Sequence, residues 1–275
     1  MNRDVELSTG VRLRVVEQGP PNGLPVVLLH GWPDSAQSYE RVLPLLPPEW
    51  RVAAVDQRGH GQSDQPERGY AIDDFAADVP ALLDALAMPR AVLVGHSMGS
   101  FLARRAAEQS PGRISRLVLI GTALRARNTV LLDFEATVDA LQDPVALSFV
   151  REFQESTVAR PVPADFMTRV IEASAGVPAR IWQAVLAGLL AYEPGPPPTC
   201  PTLVLGGTSD GLFSAEEQRA AAAAIPGARL ELVDGIGHCL QWENPERFVA
   251  LLADFVHRLG HDSDTDRQID LQITR

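Results

Sequence analysis

Short apolar runs alternate with longer helical patterns over the first 121 residues of the chain. Strand-like runs lie near Val5, Arg12 to Glu17, Val26, Val52, Ala91 and Leu117, and helical patterns cover Gln37 to Leu46, Ile72 to Leu86 and Met98 to Gln109. Two further strand-like runs follow late in the chain, at Thr202 to Leu205 and Leu230 to Val233. This alternation predicts an α/β fold with a mainly parallel eight-stranded sheet flanked by helices, and the N-terminal pair of runs favours an antiparallel start.

The alternation stops after Gly121. Residues 122–201 pass before the next strand, far more than the roughly twelve residues that a simple parallel crossover requires. Helical patterns fill this stretch near Thr129 to Leu141, Pro144 to Glu155, Pro163 to Ala175 and Pro178 to Tyr192. The sequence therefore predicts a core of residues 1–121 and 202–260, interrupted by a helical cap insertion of residues 122–201. A last helix is predicted at Pro245 to Leu259, and the polar residues 261–275 are predicted to form a disordered tail.

A serine stands between two glycines where a strand-like run turns directly into a helical pattern, in the sequence GHSMG at 95–99. This strand, turn and helix context is that of a nucleophile elbow, whose strained turn needs small neighbours such as Gly95 and Gly99. A glycine-rich turn without any chemistry would have the same local pattern. Supporting residues elsewhere in the chain therefore decide between the two interpretations.

A serine hydroxyl needs a histidine to take its proton and a carboxylate to orient that histidine. Asp210 and His238 each lie just beyond a predicted late strand, in the chain order Ser, Asp, His that the elbow leads us to expect. The carboxyl ends of parallel strands meet at one sheet edge, so both can converge on Ser97. The alternatives are that Asp210 is an ordinary turn aspartate or that Asp234 is the acid. We predict Ser97, Asp210 and His238 as a catalytic triad.

An oxyanion needs two donors, and the backbone amide of Met98, directly after the serine, is the first. The second is predicted to be the amide of Trp32, in the loop after the apolar run Val26 to Leu29. In that loop Gly31 permits close approach and Pro33 restricts the conformation of Trp32. A plain turn containing Gly and Pro is the alternative.

Four segments in this order and spacing resemble the α/β-hydrolase superfamily from Val5 to Leu259: HGWP at 30–33, DQRGHGQSD at 56–64, GHSMG at 95–99, and GH at 237–238 followed by WENPE at 242–246. The HGWP loop is similar to that of epoxide hydrolases and haloalkane dehalogenases, but those enzymes use an aspartate nucleophile where this chain has Ser97. Epoxide hydrolases also commonly use cap tyrosines, and Tyr192 is the only tyrosine within 122–201. The resemblance disfavours epoxide hydrolysis, because a serine attacks acyl carbonyls rather than alkyl carbons.

The predicted function is a carboxylic ester hydrolase for small hydrophobic substrates. A lactonase, a carbon–carbon bond hydrolase or a cofactor-free perhydrolase would use the same triad, and a non-enzymatic small-molecule receptor is the alternative of another class. Part of the apolar surface of the cap insertion is expected to line the substrate pocket, and we predict Phe134, Phe149 and Trp182 there. Cys239 beside His238 is a weaker candidate nucleophile, and it is predicted to be a free thiol together with Cys200.

Charge and composition limit the classes of binding partner, cofactor and cellular location that we expect. The net charge of −11 argues against a nucleic acid or an anionic membrane surface as partner. No stretch approaches the roughly 18 apolar residues of a membrane span and the N-terminus lacks an apolar signal region, so we expect a cytoplasmic protein. No zinc spacing, Walker loop or dinucleotide motif occurs, and no cofactor or metal is expected. The oligomeric state stays open.

Overall fold

The computed structural model of the protein describes residues 2–258, so the predicted tail of residues 261–275 lies outside the described residues. Its sheet has eight strands in the order β1-β2-β4-β3-β5-β6-β7-β8. The strands are β1 Asn2–Glu6, β2 Arg12–Gln18, β3 Leu24–Leu29, β4 Trp50–Val55, β5 Ala91–His96, β6 Ile114–Ile120, β7 Thr202–Gly207 and β8 Arg229–Val233. β2 pairs antiparallel with β1 and β4, and every later pairing is parallel. The predicted mainly parallel sheet with an antiparallel start is confirmed.

Helices flank this sheet. They are α1 Ile72–Ala85, α2 Met98–Gln109, α3 Thr129–Asp139, α4 Leu147–Ser156, α5 Ala164–Ala175, α6 Ala179–Leu190, α7 Ala215–Ala223, α8 Leu240–Glu243 and α9 at residues 245–258. The helix predicted at Gln37 to Leu46 is wrong: two short 3-10 segments, Ala36–Tyr39 and Leu43–Leu45, stand in its place. Pro44 lacks the amide hydrogen that a continuous helix would need there.

Alternate residues of the central strands pack on opposite faces. Val27 and Leu29 of β3 join the hydrophobic core that also contains α1, α2 and residues of the cap insertion. Val26 and Leu28 join the core on the other face, with Phe248 of α9. Strands buried on both faces are continuously apolar, which explains why they were recognisable as short unbroken runs.

The connection between β6 and β7 contains the four helices α3, α4, α5 and α6, which lie in the segment predicted to be a cap insertion. The ends of β3, β5, β6, β7 and β8 lie at one edge of the sheet because these strands are parallel. The loops that follow β3, β5, β7 and β8 hold Trp32, Ser97, Asp210 and His238. The fold therefore brings four sequence-distant candidate residues to a single edge.

Candidate active site

Ser97 lies between the end of β5 and the start of α2, with backbone angles φ 51° and ψ −119°. A positive φ is uncommon for a residue with a side chain and stores strain of about 1–3 kcal/mol. The turn is tight: a Cβ atom at Gly95 would lie 2.0 Å from the carbonyl oxygen of Gly99. Glycine is therefore required on the strand side of the elbow, as the sequence indicated. The Ser97 amide donates to the carbonyl of Ile120 at 2.9 Å, which fixes the turn against β6.

The imidazole of His238 and the carboxylate of Asp210 form a buried pair, with Nδ1 and Oδ2 2.9 Å apart. A carboxylate only accepts, so Nδ1 carries the proton and Nε2 is left with a free lone pair. Nε2 has no hydrogen-bond partner among residues 2–258. A histidine in this tautomer can accept a proton from a hydroxyl. The rival Asp234 instead accepts from the hydroxyl of Thr208 at 3.0 Å.

Asp210 is held by three further donors. Its Oδ1 accepts from the amides of Leu212 at 2.8 Å and Phe213 at 3.0 Å, and Nε2 of Gln218 lies 3.3 Å from Oδ2. Burial by itself would raise the pKa of Asp210, but His238 and these amides outweigh it and hold the pKa below its usual value. Asp210 therefore stays ionised and can stabilise a protonated His238.

Backbone contacts fix the loop that carries His238. The amide of His238 donates to the carbonyl of Thr157, directly after α4, at 2.9 Å. Nε2 of His96, the residue before Ser97, lies 3.2 Å from the carbonyl oxygen of His238. Burial chiefly, and the neighbouring His238, lower the pKa of His96 to about 3, so its ring is neutral. The general-base candidate is thus attached to both the elbow and the cap insertion.

The loop after β3 passes beside the elbow. A Cβ atom at Gly31 would lie 3.0 Å from Cβ of Ser97 and 2.9 Å from Nδ1 of His96, so a larger residue would not fit there. Trp32 follows Gly31 directly, and Met98 begins α2, where helix amides favour negative charge. The two predicted oxyanion donors therefore belong to backbone segments that flank Ser97.

A pocket opens onto Ser97 and His238. Its wall also contains Trp32, Phe153 and Leu131. The predicted wall residues Phe134, Phe149 and Trp182 do not line it. They stack behind the wall instead: Trp182 packs on Trp32 with ring centres 5.0 Å apart, and Phe134 and Phe149 stack on each other at 5.7 Å.

Cys239 also lines this pocket, buried beside His238, with its Sγ 3.4 Å from the hydroxyl oxygen of Thr157. Burial, reinforced by the charge of Asp34, raises the pKa of this thiol well above its ordinary value. Because the thiolate is the nucleophilic form, Cys239 is not an activated nucleophile. Cys200 and Cys239 are both free thiols.

Within residues 2–258 no group of three or more His, Cys, Asp and Glu side chains is arranged to hold a metal ion. Across the same residues, none of the helices combines the length and apolar character needed to cross a membrane.

A sequence model of the alpha/beta hydrolase fold matches residues 25–245. The chain belongs to the α/β-hydrolase fold family. This match covers residues 25–121 and 202–245 of the predicted core, and the predicted cap insertion between them.

Known relatives of this α/β-hydrolase are named for different activities. It is 30% identical to Epoxide hydrolase A of Mycobacterium tuberculosis, over 90% of this chain and 95% of that protein. It is 46% identical to the non-heme chloroperoxidase of Streptomyces lividans over 118 residues, which span 42% of this chain and 43% of that protein. An esterase from Exiguobacterium antarcticum has a similar structure, with a TM-score of 0.84 and 25% identity, over 94% of this chain and 100% of that one.

Sequence reasoning missed several residues around the site of this α/β-hydrolase. Thr157, from a distant part of the chain, and Glu243 hold the loop of His238, and Gln218 contacts Asp210. Asp34 and Gln154 lie in the pocket wall. Asp34 and Glu243 had a local signal, since Asp34 follows the HGWP loop directly and Glu243 lies within the WENPE segment. The others are polar residues on helices or loops, where a solvated position is the ordinary expectation.

Proposed function

We propose that this α/β-hydrolase is a serine carboxylesterase that forms an acyl-enzyme on Ser97. The observation that carries the proposal is one pocket wall that contains a serine at a strained elbow and the buried His238, which is paired with Asp210 at 2.9 Å. A small apolar pocket supports a small hydrophobic ester as substrate.

We also propose that residues 122–201 act as a cap over a core of residues 1–121 and 202–260.

In the proposed reaction, Oγ of Ser97 attacks the ester carbonyl while Nε2 of His238 takes the hydroxyl proton. The amides of Trp32 and Met98 stabilise the oxyanion, and each such donor is worth about 3 kcal/mol. His238 then protonates the leaving alcohol. Water attacks the acyl-enzyme with His238 as base, which releases the acid and restores Ser97.

We do not propose epoxide hydrolysis, although one relative is named an epoxide hydrolase. Attack of a serine on an epoxide carbon would form an alkyl ether, which lacks the carbonyl that water must attack to free the enzyme. Tyr192 is also outside the pocket wall, packed on Phe101 with ring centres 5.3 Å apart.

Perhydrolysis is the second candidate, favoured by the likeness to a non-heme chloroperoxidase. Hydrogen peroxide would replace water as the attacking group, so that the acyl-enzyme yields a peroxy acid and free Ser97. Lactone hydrolysis would follow the water route with an internal ester. Adding peroxide to ester reactions and assaying peroxy acid separates these outcomes.

The testing experiment is steady-state hydrolysis of p-nitrophenyl esters of increasing acyl length by wild type, Ser97→Ala and the control Ser110→Ala. We expect multiple turnovers by wild type and Ser110→Ala, and a fall of about 10⁴-fold or more in kcat for Ser97→Ala. Ordinary turnover by Ser97→Ala would refute the nucleophile. Absence of turnover by folded wild type on these and on lactone substrates would instead favour the receptor alternative.

A further inference from the structure

Asp34 is a carboxyl group in the wall of the candidate pocket that the proposed reaction leaves unused. It lines the same space as Ser97 and His238 and is only 3% exposed. It lies in the loop after β3, where its amide donates to the carbonyl of Gly31 at 2.9 Å. Asp34 is therefore close to the reacting groups and fixed to the loop of the proposed oxyanion hole.

The two carboxyl oxygens of Asp34 have unequal partners. Nε2 of Gln154, from α4 of the cap insertion, donates to Oδ1 at 2.9 Å and is itself held near the hydroxyl oxygen of Ser174 at 2.8 Å. Among residues 2–258, Oδ2 has only the hydroxyl of Ser38 as a partner, at 3.4 Å, which is a long contact. Oδ2 is therefore the oxygen with spare hydrogen-bonding capacity.

None of the ion pairs formed within residues 2–258 includes Asp34. The titratable groups that face it are His238, Tyr39 and Cys239. A buried carboxylate without a cation is costly, and burial raises the pKa of Asp34 to about 7 against the smaller opposing effects of Gln154, Ser38 and His238. At neutral pH and below, much of this group is a carboxylic acid, which can donate a hydrogen bond.

We propose that Asp34 determines substrate specificity: its carboxylic O–H donates to a second oxygen of the substrate, so the preferred esters carry a hydroxyl or carbonyl group besides the scissile ester. Gln154 positions this donor by holding the other carboxyl oxygen. The inference rests on the proposed esterase function and names its substrate class. Trp32, in the same wall, has an indole Nε1 without a hydrogen-bond partner among residues 2–258, so the wall holds another donor that the described residues leave unsatisfied.

The test compares kcat/KM for methyl butanoate, methyl 2-hydroxybutanoate and methyl 3-hydroxybutanoate. Wild type, Asp34→Asn, Asp34→Leu and the control Asp133→Leu, which removes an exposed carboxylate of α3, are assayed at pH 6 and pH 8. The measured quantity is the preference ratio of a hydroxy ester over the plain ester. Differences in intrinsic reactivity between the esters cancel when this ratio is compared among variants.

We expect Asp34→Leu to lower the preference ratio by about 10- to 100-fold and Asp133→Leu to leave it unchanged, because a site built to bond an oxygen rejects an analogue without one. Asp34→Asn keeps a donor and should keep the ratio within about threefold. The wild-type ratio should fall by roughly tenfold from pH 6 to pH 8, as the acid ionises, while that of Asp34→Asn stays level. Equal losses on all three esters in Asp34→Leu, or a wild-type ratio that does not fall with pH, would overturn the proposal.

A binding experiment separates this proposal from the esterase function. Dissociation constants of 4-hydroxybutan-2-one and butan-2-one, which have no ester bond, are measured from the NMR shift of the Trp32 indole proton in wild type and Asp34→Leu. We expect wild type to bind the hydroxyketone at least about tenfold tighter and Asp34→Leu to bind both equally. If wild type binds the hydroxyketone more tightly but hydrolyses no ester, the esterase function alone is refuted. If wild type binds both ketones equally, the role of Asp34 alone is refuted.

Discussion

The carboxylate of Glu243 accepts a hydrogen bond from the amide of Gly237, the residue before His238, with Oε1 and N 2.9 Å apart. Its other oxygen accepts from the amides of Ala159 at 3.0 Å and Arg160 at 2.8 Å, both in the cap insertion. One side chain therefore ties the loop of the proposed general base to the segment after α4. The local sequence around Glu243 does not predict these contacts, because Ala159 and Arg160 are more than 80 positions away.

Replacing Glu243 should lower both stability and turnover. Glu243→Leu leaves three amides without their acceptor, at about 1–3 kcal/mol for each that becomes unsatisfied and buried. We expect a lower melting temperature and a kcat reduced at least tenfold, with a smaller effect for Glu243→Gln, which keeps one acceptor oxygen. Thermal unfolding and ester hydrolysis measure the two effects. The exposed Glu246→Gln serves as control, and a Glu243→Leu variant equal to it would contradict the role.

Gly121→Ala should disable the proposed base although no residue of the proposed triad is replaced. Gly121 has φ 53°, and an added Cβ would lie 2.9 Å from Cε1 and Nδ1 of His238. The methyl group must displace the imidazole or the backbone, so we expect kcat to fall at least 100-fold. Gly112→Ala, where a Cβ would meet nothing within 4 Å, should keep wild-type activity in the same assay. Comparable activities of the two variants would show that His238 tolerates the shift.

Stability should depend on pH through the buried His60. Burial lowers the pKa of His60 from 6.5 to about 4, despite its contact with the carbonyl of Arg58. Because the unfolded chain binds the proton more readily, this stabilisation is complete above pH 6.5 and is lost as the pH falls toward 4. We expect His60 to account for a loss on the order of 2–3 kcal/mol between pH 7.5 and 4.5.

Urea unfolding of wild type and His60→Gln at both pH values measures this contribution. Asp34, with its raised pKa, gives the opposite slope in the same range, so the total wild-type change alone is not diagnostic. The difference between the two proteins isolates His60, since both retain Asp34. If the free energy of unfolding changes equally with pH in wild type and His60→Gln, the pKa of His60 is the same in the folded and unfolded chain.

The pocket wall and the layer behind it should respond differently to the same substitution. Phe153 lines the pocket, whereas Phe149 packs behind it against Trp182 with ring centres 5.5 Å apart. Phe153→Leu should move the acyl-length optimum to longer esters, with a gain of roughly tenfold or more for an ester one or two methylenes longer. Phe149→Leu should lower the melting temperature and leave the optimum in place. Acyl-length profiles of both variants decide the assignment.

Local patterns were sufficient to predict the fold and the placement of Ser97, Asp210 and His238, because each of these residues lies in the turn or loop after a strand and parallel strands end at one edge. The pocket wall was not predictable in this way. How far each apolar helix of the cap insertion is rotated toward Ser97 depends on packing between helices, which a local pattern does not contain. For this reason Phe153 lines the pocket while Trp182, also buried and aromatic, lies behind Trp32.

The hydrogen bond from the His238 amide to the Thr157 carbonyl has a consequence for protein engineering. A chimera that exchanged residues 122–201 for the equivalent segment of another hydrolase would change the pocket wall, but it would also replace Thr157, whose carbonyl holds the loop of the proposed general base His238. Exchanged segments that end before α4, or that retain residues 157–160 of this chain, preserve the hydrogen bond between His238 and Thr157. We therefore expect such an exchange to change substrate range and catalytic rate together, unless the exchanged segment leaves Thr157 in place.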